Sequence, residues 1–236
     1  MATVEKGGVL RELVSGPPLT VRRIQDAEPD VCSLCLVGSA AGPLAGDEVE
    51  FRLSLGDGAR VRLSASGASI AQGDGTGTAR QRSVIRLGDG AELIAEPPPL
   101  IVAAGGAADV EVCIELADSA SMLWSETLVL GRSGEAAGLA RLRWSVRRDG
   151  APLLVQSIDL RDPSPWVGVL DGQRVLSSAV MTGPGVLART VVDSPRAVAQ
   201  RVDDCTVLFT VLSTDAATAA ASMAELRAAV PLPVSG

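Results

Sequence analysis

The sequence predicts an all-β protein, mainly strands in stacked antiparallel sheets built from repeated β-hairpins, with one or two helices, the clearest near the C-terminus. Runs of alternating apolar and polar residues stop at short turns and restart, repeating at intervals of about thirty residues. The turns are Gly56-Asp57-Gly58, Gly88-Asp89-Gly90, Ala117-Asp118-Ser119 and Arg148-Asp149-Gly150, and three stand in a fuller echo, LGDGARVRL, LGDGAELIA and LADSASMLW. Gly accepts positive φ and Asp bonds its own backbone, so each unit reads as strand, tight turn, strand. The chain is 47% apolar, yet its aromatic residues are only Phe51, Trp124, Trp144, Trp166 and Phe209. A core of Val, Leu, Ile and Ala suits thin, regularly stacked strands.

Taken in order, a pair of strands near Gly8 to Val14 and Leu19 to Gln25 precedes a longer one around Val31 to Val37. In GDEVEFRLSLGDGARVRLSA, Val49, Phe51, Leu53 and Leu55 share one face, while Glu48, Glu50, Arg52 and Ser54 share the other. Residues Ser66 to Ala79, rich in Gly, Ser and Thr, read as an exposed loop. The second and third hairpins run from Arg82 to Ala95 and from Asp109 to Leu130. Between them, Pro97-Pro98-Pro99 cannot donate to a central ladder and marks a stiff crossover or an edge where the chain changes sheet. The fourth hairpin is LARLRWSVRRDGAPLLVQSIDL. The pattern loosens through DPSPWVGVLDG, then Val175 to Met181, Val186 to Val192 and CTVLFTVL form further apolar runs. ATAAASMAELRAAV has high helix propensity, with Ser213 or Thr214 as cap and Pro231 as stop, and its Ala-rich face is expected to pack on the sheet or on a partner. The whole chain, 1–236, is read as a single domain.

Composition removes several function classes. There is no histidine and no tyrosine, so no Ser-His-Asp or Cys-His nucleophile, no His-bearing zinc site and no imidazole base exists. A net charge of -7, with Lys6 the single lysine, opposes binding to a phosphate backbone, so nucleic acid is not an expected partner. No apolar stretch reaches the roughly 18 residues of a membrane helix, and MATVEKGGVLRE carries no signal-peptide core. The expected location is the cytoplasm, away from membranes, with Cys32, Cys35, Cys113 and Cys205 as reduced thiols.

Cys32 and Cys35 have the spacing of a metal half-site. In a strand, residues i and i+3 face opposite ways, so packing as small hydrophobes is favoured over metal contact, which requires a broken strand there. The Gly-rich stretch lacks the Gly-Lys-Ser/Thr ending and following helix of a phosphate loop. Carboxylates are then the remaining hard ligands and acid-base groups: Asp47, Glu48, Glu96 and Glu126. Glu126 stands out because alternation puts it on the face of Trp124 and Leu128, where a carboxylate needs a partner, such as an arginine, or a wet cavity.

At GPLAGDEVEFRLSLGDGARVRLSASGAS the chain resembles the urease accessory protein UreD family, called UreH in some organisms. Gly46-Asp47, Gly58-Ala59 and Leu63-Ser64-Ala65 stand at the family's Gly-Asp, Gly-Ala and small-residue positions. LWSETLVLGRSGE resembles its Trp-Glu segment ending in Leu-Gly-Arg, through Trp124, Glu126, Leu130, Gly131 and Arg132, and RRDGAPLLVQSIDL resembles its next hairpin. The core resemblance covers 34–162, with weaker correspondence over 163–236. The family's His-Pro-Pro is absent; Val37 to Pro43 stands in its place.

The resemblance implies a nonenzymatic scaffold that joins urease apoprotein to the helical accessory protein UreF and the GTPase UreG. It implies no permanently bound cofactor, with nickel in transit along an internal passage. Asp47, Glu48 and Glu126 are the expected metal contacts on that path, and Arg132 is expected to hold Glu126 or a turn in place. Weak oxygen contacts suit transit, so the lack of histidine is compatible with it. The rival classes are a structural or binding β-repeat protein without a metal role and an enzyme using an acidic pair, as glycosidases do. The first expects an export signal if secreted, and the second expects aromatic sugar platforms that this chain scarcely has.

Overall fold

The computed structural model describes residues 1–161 and 169–230, and among these it contains eighteen strands and one helix. The DPSPWVG segment and Pro231 lie outside the described residues. In chain order the strands are β1 (Ala2–Glu5), β2 (Val9–Leu13), β3 (Leu19–Ile24), β4 (Val31–Gly38), β5 (Glu48–Leu55), β6 (Arg60–Ala65), β7 (Ser69–Ala71), β8 (Ala79–Leu87) and β9 (Glu92–Ala95). They continue with β10 (Leu100–Val102), β11 (Ala107–Leu116), β12 (Ser121–Leu130), β13 (Leu139–Arg148), β14 (Ala151–Leu160), β15 (Val175–Thr182), β16 (Val191–Ser194), β17 (Ala197–Asp203) and β18 (Thr206–Ser213), before helix α1 (Ala216–Ala228).

Two sheets stack face to face. One has seven strands in the order β14-β13-β11-β8-β5-β1-β2. The other has eleven, along the path β16-β17-β18-β15-β12-β9-β6-β4-β3, with β10 beside β12 and β7 beside β10. The all-β class and the helix near the C-terminus are as expected, but the connectivity of the repeats is not. At the first three turns the two strands of each unit enter different sheets: β5, β8 and β11 lie in the seven-stranded sheet, while β6, β9 and β12 lie in the other. These turns are therefore arches, and each unit lies parallel to the next, with β5, β8, β11 and β13 as one parallel block. Of the four repeat turns, Arg148-Asp149-Gly150 alone closes a true hairpin, between β13 and β14.

Side-chain chemistry accounts for the parallel stack. On the inward face, Leu53, Ile85, Ile114 and Val146 fall in one register row and are almost fully buried. On the outward face, the rows Glu48-Arg80-Asp109-Arg141 and Glu50-Arg82-Glu111-Arg143 alternate in sign from strand to strand. Arg80 meets Glu48 at 3.0 Å, and Arg82 meets Glu50 at 3.5 Å and Glu111 at 3.1 Å. A slip by one unit opposes like charges, and a slip by one residue turns the apolar rows outward.

The arches also bond to one another. Gly58 N–H donates to Asp89 O at 2.7 Å, Asp89 N–H donates to the Asp57 carboxylate at 3.0 Å, and Gly90 N–H donates to Ser119 Oγ at 2.9 Å. Asp and Gly at these turns thus serve neighbouring coils as well as their own.

Three further expectations change. The Ser66 to Ala79 stretch contains β7, which pairs with β10, and Gly75 N–H bonds Gly105 O at 2.9 Å, so it is a laced corner. The prolines do not carry the chain between sheets, because β9 and β10 both border β12. The helix cap is Asp215, whose carboxylate accepts from Thr218 N–H at 2.9 Å; Ser213 ends β18. The helix buries Ala219, Met223 and Leu226 against the outer face of β15, β17 and β18, where Ala179, Met181, Phe209 and Val211 form a second core.

Candidate functional site

Strand alternation aims Met122, Trp124, Glu126, Leu128 and Leu130 of β12 into the space between the sheets. Glu126 is 8% exposed and is the one charged residue buried to this degree among the described residues. Its single hydrogen-bond partner there is the indole of Trp124, whose Nε1–H donates to Oε1 at 3.0 Å. No arginine reaches it. Burial pushes the Glu126 pKa up to about 7, an effect the indole donor partly offsets.

The local fold leaves room beside this carboxylate. On one side of β12, β9 pairs with Ser121 to Trp124 and β10 pairs with Leu128 to Leu130. Ser125, Glu126 and Thr127 between them face the Glu96-Pro97-Pro98-Pro99 corner, which has no N–H at its prolines to continue a ladder. A cavity of about 10 Å³ opens there, lined by Glu126, Pro97, Pro98, Phe51, Gln81, Ser83 and Val110 among others. That is room for about one water, and three of its walls are polar side chains able to bond one.

Two surface hollows share walls with this cavity. One, of about 220 Å³, is bordered by Gly42, Pro43 and Gln72 and shares Leu19, Val49 and Gln81 with it. The other, of about 260 Å³, has Glu48 and Glu50 on its border and shares Leu19, Val49 and Phe51. Glu48 itself is exposed and pairs with Arg80. Asp47 accepts from Leu44 N–H at 2.8 Å and so fixes the turn that leads into β5.

The three carboxylates singled out in the sequence therefore do not converge. Glu126 is inside, Glu48 is at the border of a surface hollow, and Asp47 braces a turn. Among the described residues no group of three or more acidic or cysteine side chains is placed to hold a metal ion. Cys32 is buried in the main core and Cys35 lies on the other strand face, half-buried, as alternation requires. Arg132 is turned to Glu135, to which its Nε donates at 2.7 Å, so it braces a turn and not Glu126. Arg132 in turn holds the Glu135 pKa down to about 2.

Sequence reasoning missed Gln81 and Ser83. Both occupy inward positions of β8, whose neighbours in that row are apolar, and this break in alternation was the available signal.

A family model described as UreD urease accessory protein matches residues 2–232. The chain belongs to the UreD family. It is 38% identical over 175 residues to urease accessory protein UreD 1 of Streptomyces griseus subsp. griseus, covering 73% of this chain and 68% of that one. Urease accessory protein UreD 1 of Saccharopolyspora erythraea is 37% identical over 177 residues, 72% of this chain and 69% of that one. Urease accessory protein UreD of Streptomyces coelicolor is 34% identical over 186 residues, with coverage of 76% and 73%. Among the described residues of this UreD-family chain, no helix is long and apolar enough to cross a membrane.

Proposed function

We propose that this UreD-family protein is a nonenzymatic scaffold of the cytoplasm that holds urease apoprotein together with UreF and the GTPase UreG and conducts nickel toward the apoprotein. Hydrolysis of GTP belongs to the partner. The observation that supports the conducting role best is Glu126: a buried carboxylate with no cationic partner, on a water-sized cavity that shares walls with two surface hollows. A structural ion pair would have supplied an arginine, and a purely packing role would have supplied an apolar side chain. In this reading Glu48 draws the ion to the border, Asp47 holds the turn that carries Glu48, and Glu126 receives the ion inside. Oxygen ligands of this kind bind a first-row divalent ion loosely enough to release it.

The test is nickel-dependent maturation of urease by purified UreD-family protein with its partners, comparing wild type with Glu126→Gln, Glu126→Ala and Asp47→Ala. Glu126 variants are expected to assemble with the partners and to slow activation. Full-rate maturation by Glu126→Ala and Asp47→Ala in an intact complex would falsify the transit reading.

A further inference from the structure

Ser178 is the residue that stands opposite Glu126 in the β12–β15 ladder. Both face the space between the sheets: Leu176 and Val180 on the same face of β15 belong to the main core, whereas Ala179 and Met181 belong to the core under the helix. Ser178 is 0% exposed, and its Oγ has no hydrogen-bond partner. Of the other hydroxyls nearby, that of Ser125, on the opposite face of β12, is likewise unpartnered, whereas four are satisfied. Ser177 Oγ lies 2.9 Å from Thr127 Oγ1, and Thr182 Oγ1 lies 2.7 Å from Thr206 Oγ1. An unpartnered hydroxyl, fully buried beside a buried carboxylate that lacks a cation, is a departure from the rule that interior polar groups are paired. Residues directly opposite on one sheet face have Cβ atoms about 4.5–5.5 Å apart, so the two side chains are immediate neighbours on the inner face, Ser178 on the side of β12 away from the proline corner.

We propose that Ser178 Oγ and the Glu126 carboxylate form a single station for a divalent first-row cation, with Ser178 supplying the neutral oxygen that takes the ion onward from the outer cavity. This rests on the transit reading of Glu126 and extends it to a direction. Thr210, half-buried, stands opposite Ser178 in the β15–β18 ladder, and the row Glu126, Ser178, Thr210 runs across the inner face of the sheet. One carboxylate with neutral hydroxyls attracts a divalent ion but leaves it undercompensated, which keeps its residence short.

Ser178→Ala removes the oxygen with little change in volume and, because that oxygen has no partner, is expected to leave the melting temperature unchanged or raised. Nickel-dependent maturation by the assembled complex is expected to fall about tenfold, the order seen when a group that supports a metal site is lost. Ser178→Thr keeps the oxygen and is expected to retain the wild-type rate, an order opposite to that of a packing role, in which the added methyl would do the greater harm. Ser178→Ala/Glu126→Gln is expected to be no slower than Glu126→Gln alone, since both serve one ion. With nickel(II) alone as probe, Ser178→Cys is expected to develop a sulfur-to-nickel charge-transfer absorption that the wild-type protein lacks and to retain nickel on gel filtration. If Glu126→Gln slows maturation while Ser178→Ala does not, the station is refuted and the transit reading stands. If neither variant slows it, both are refuted.

Discussion

The indole Nε1–H of Trp124 points along its own strand to the Glu126 carboxylate, two residues away and 3.0 Å distant, inside a mainly apolar layer. This is possible because residues i and i+2 share a strand face, so the pair needs no second strand to form. One donor softens the burial of a carboxylate but does not neutralise it.

Stability should therefore depend on pH through Glu126. Its folded pKa of about 7 lies above the ordinary 4.5, so the folded state holds a proton that the unfolded chain releases. The contribution is fully present below about pH 4.5 and is lost as pH rises through about 7, a total of about 3 kcal/mol. Glu126→Gln keeps the shape and removes the titration. Urea unfolding is expected to show the variant close to wild type near pH 5 and more stable than wild type at pH 8; equal differences at the two pH values would contradict the assignment.

A second prediction concerns the join between the sheets. Arg148, where the fourth turn begins, reaches from the seven-stranded sheet to the buried hydroxyls of Thr182 and Thr206, the latter at 3.1 Å, and to Asp203 at 3.4 Å. Arg148→Met leaves Thr182 and Thr206 without this donor and Asp203 without its charge partner. A loss of about 2–4 kcal/mol in unfolding free energy is expected. Arg80→Ala, at an exposed pair with Glu48, is the control and should cost less than about 1 kcal/mol. Similar losses for the two would mean that Arg148 is not a clamp.

The stacking of the arches makes a third. A Cβ on Gly88 would lie 2.4 Å from Asp57 Oδ1 and 3.0 Å from Asp57 N, in the arch of the preceding coil. Gly88→Ala forces the two arches apart and is expected to lower stability by about 1–3 kcal/mol. Gly67 has nothing within 4 Å of its Cβ position, so Gly67→Ala should leave the melting temperature unchanged or slightly raised. Thermal unfolding of the two variants in parallel separates contact from a general effect of glycine loss.

Much of the strand content was legible because alternation and turn chemistry are local. The direction of pairing was not, since Gly-Asp-Gly suits an arch as well as a hairpin, and what decides is the partner chosen by the second strand. A trace of that choice does lie in the sequence: the acids of β5 are complementary to the arginines of β8, one coil on. Glu126 could be placed by alternation with Trp124 and Leu128. Ser178 could not be placed opposite it, because the register of β12 with β15 depends on everything between them. Glu48 stayed outside for the same periodic reason that Val49 and Phe51 went in.

The parallel block of coils never ends at a bare parallel flank of useful length. Its seven-stranded side finishes at β2 and β14, and the other side at β3 and β16, each joined to its neighbour in the antiparallel sense. The parallel margin among the described residues is β7, three residues long. A further coil, whether from this chain or from another copy, meets strands running the wrong way to continue the series. Reversal of strand polarity thus acts as a terminator of the parallel series, bounding a repetitive architecture at a defined number of turns.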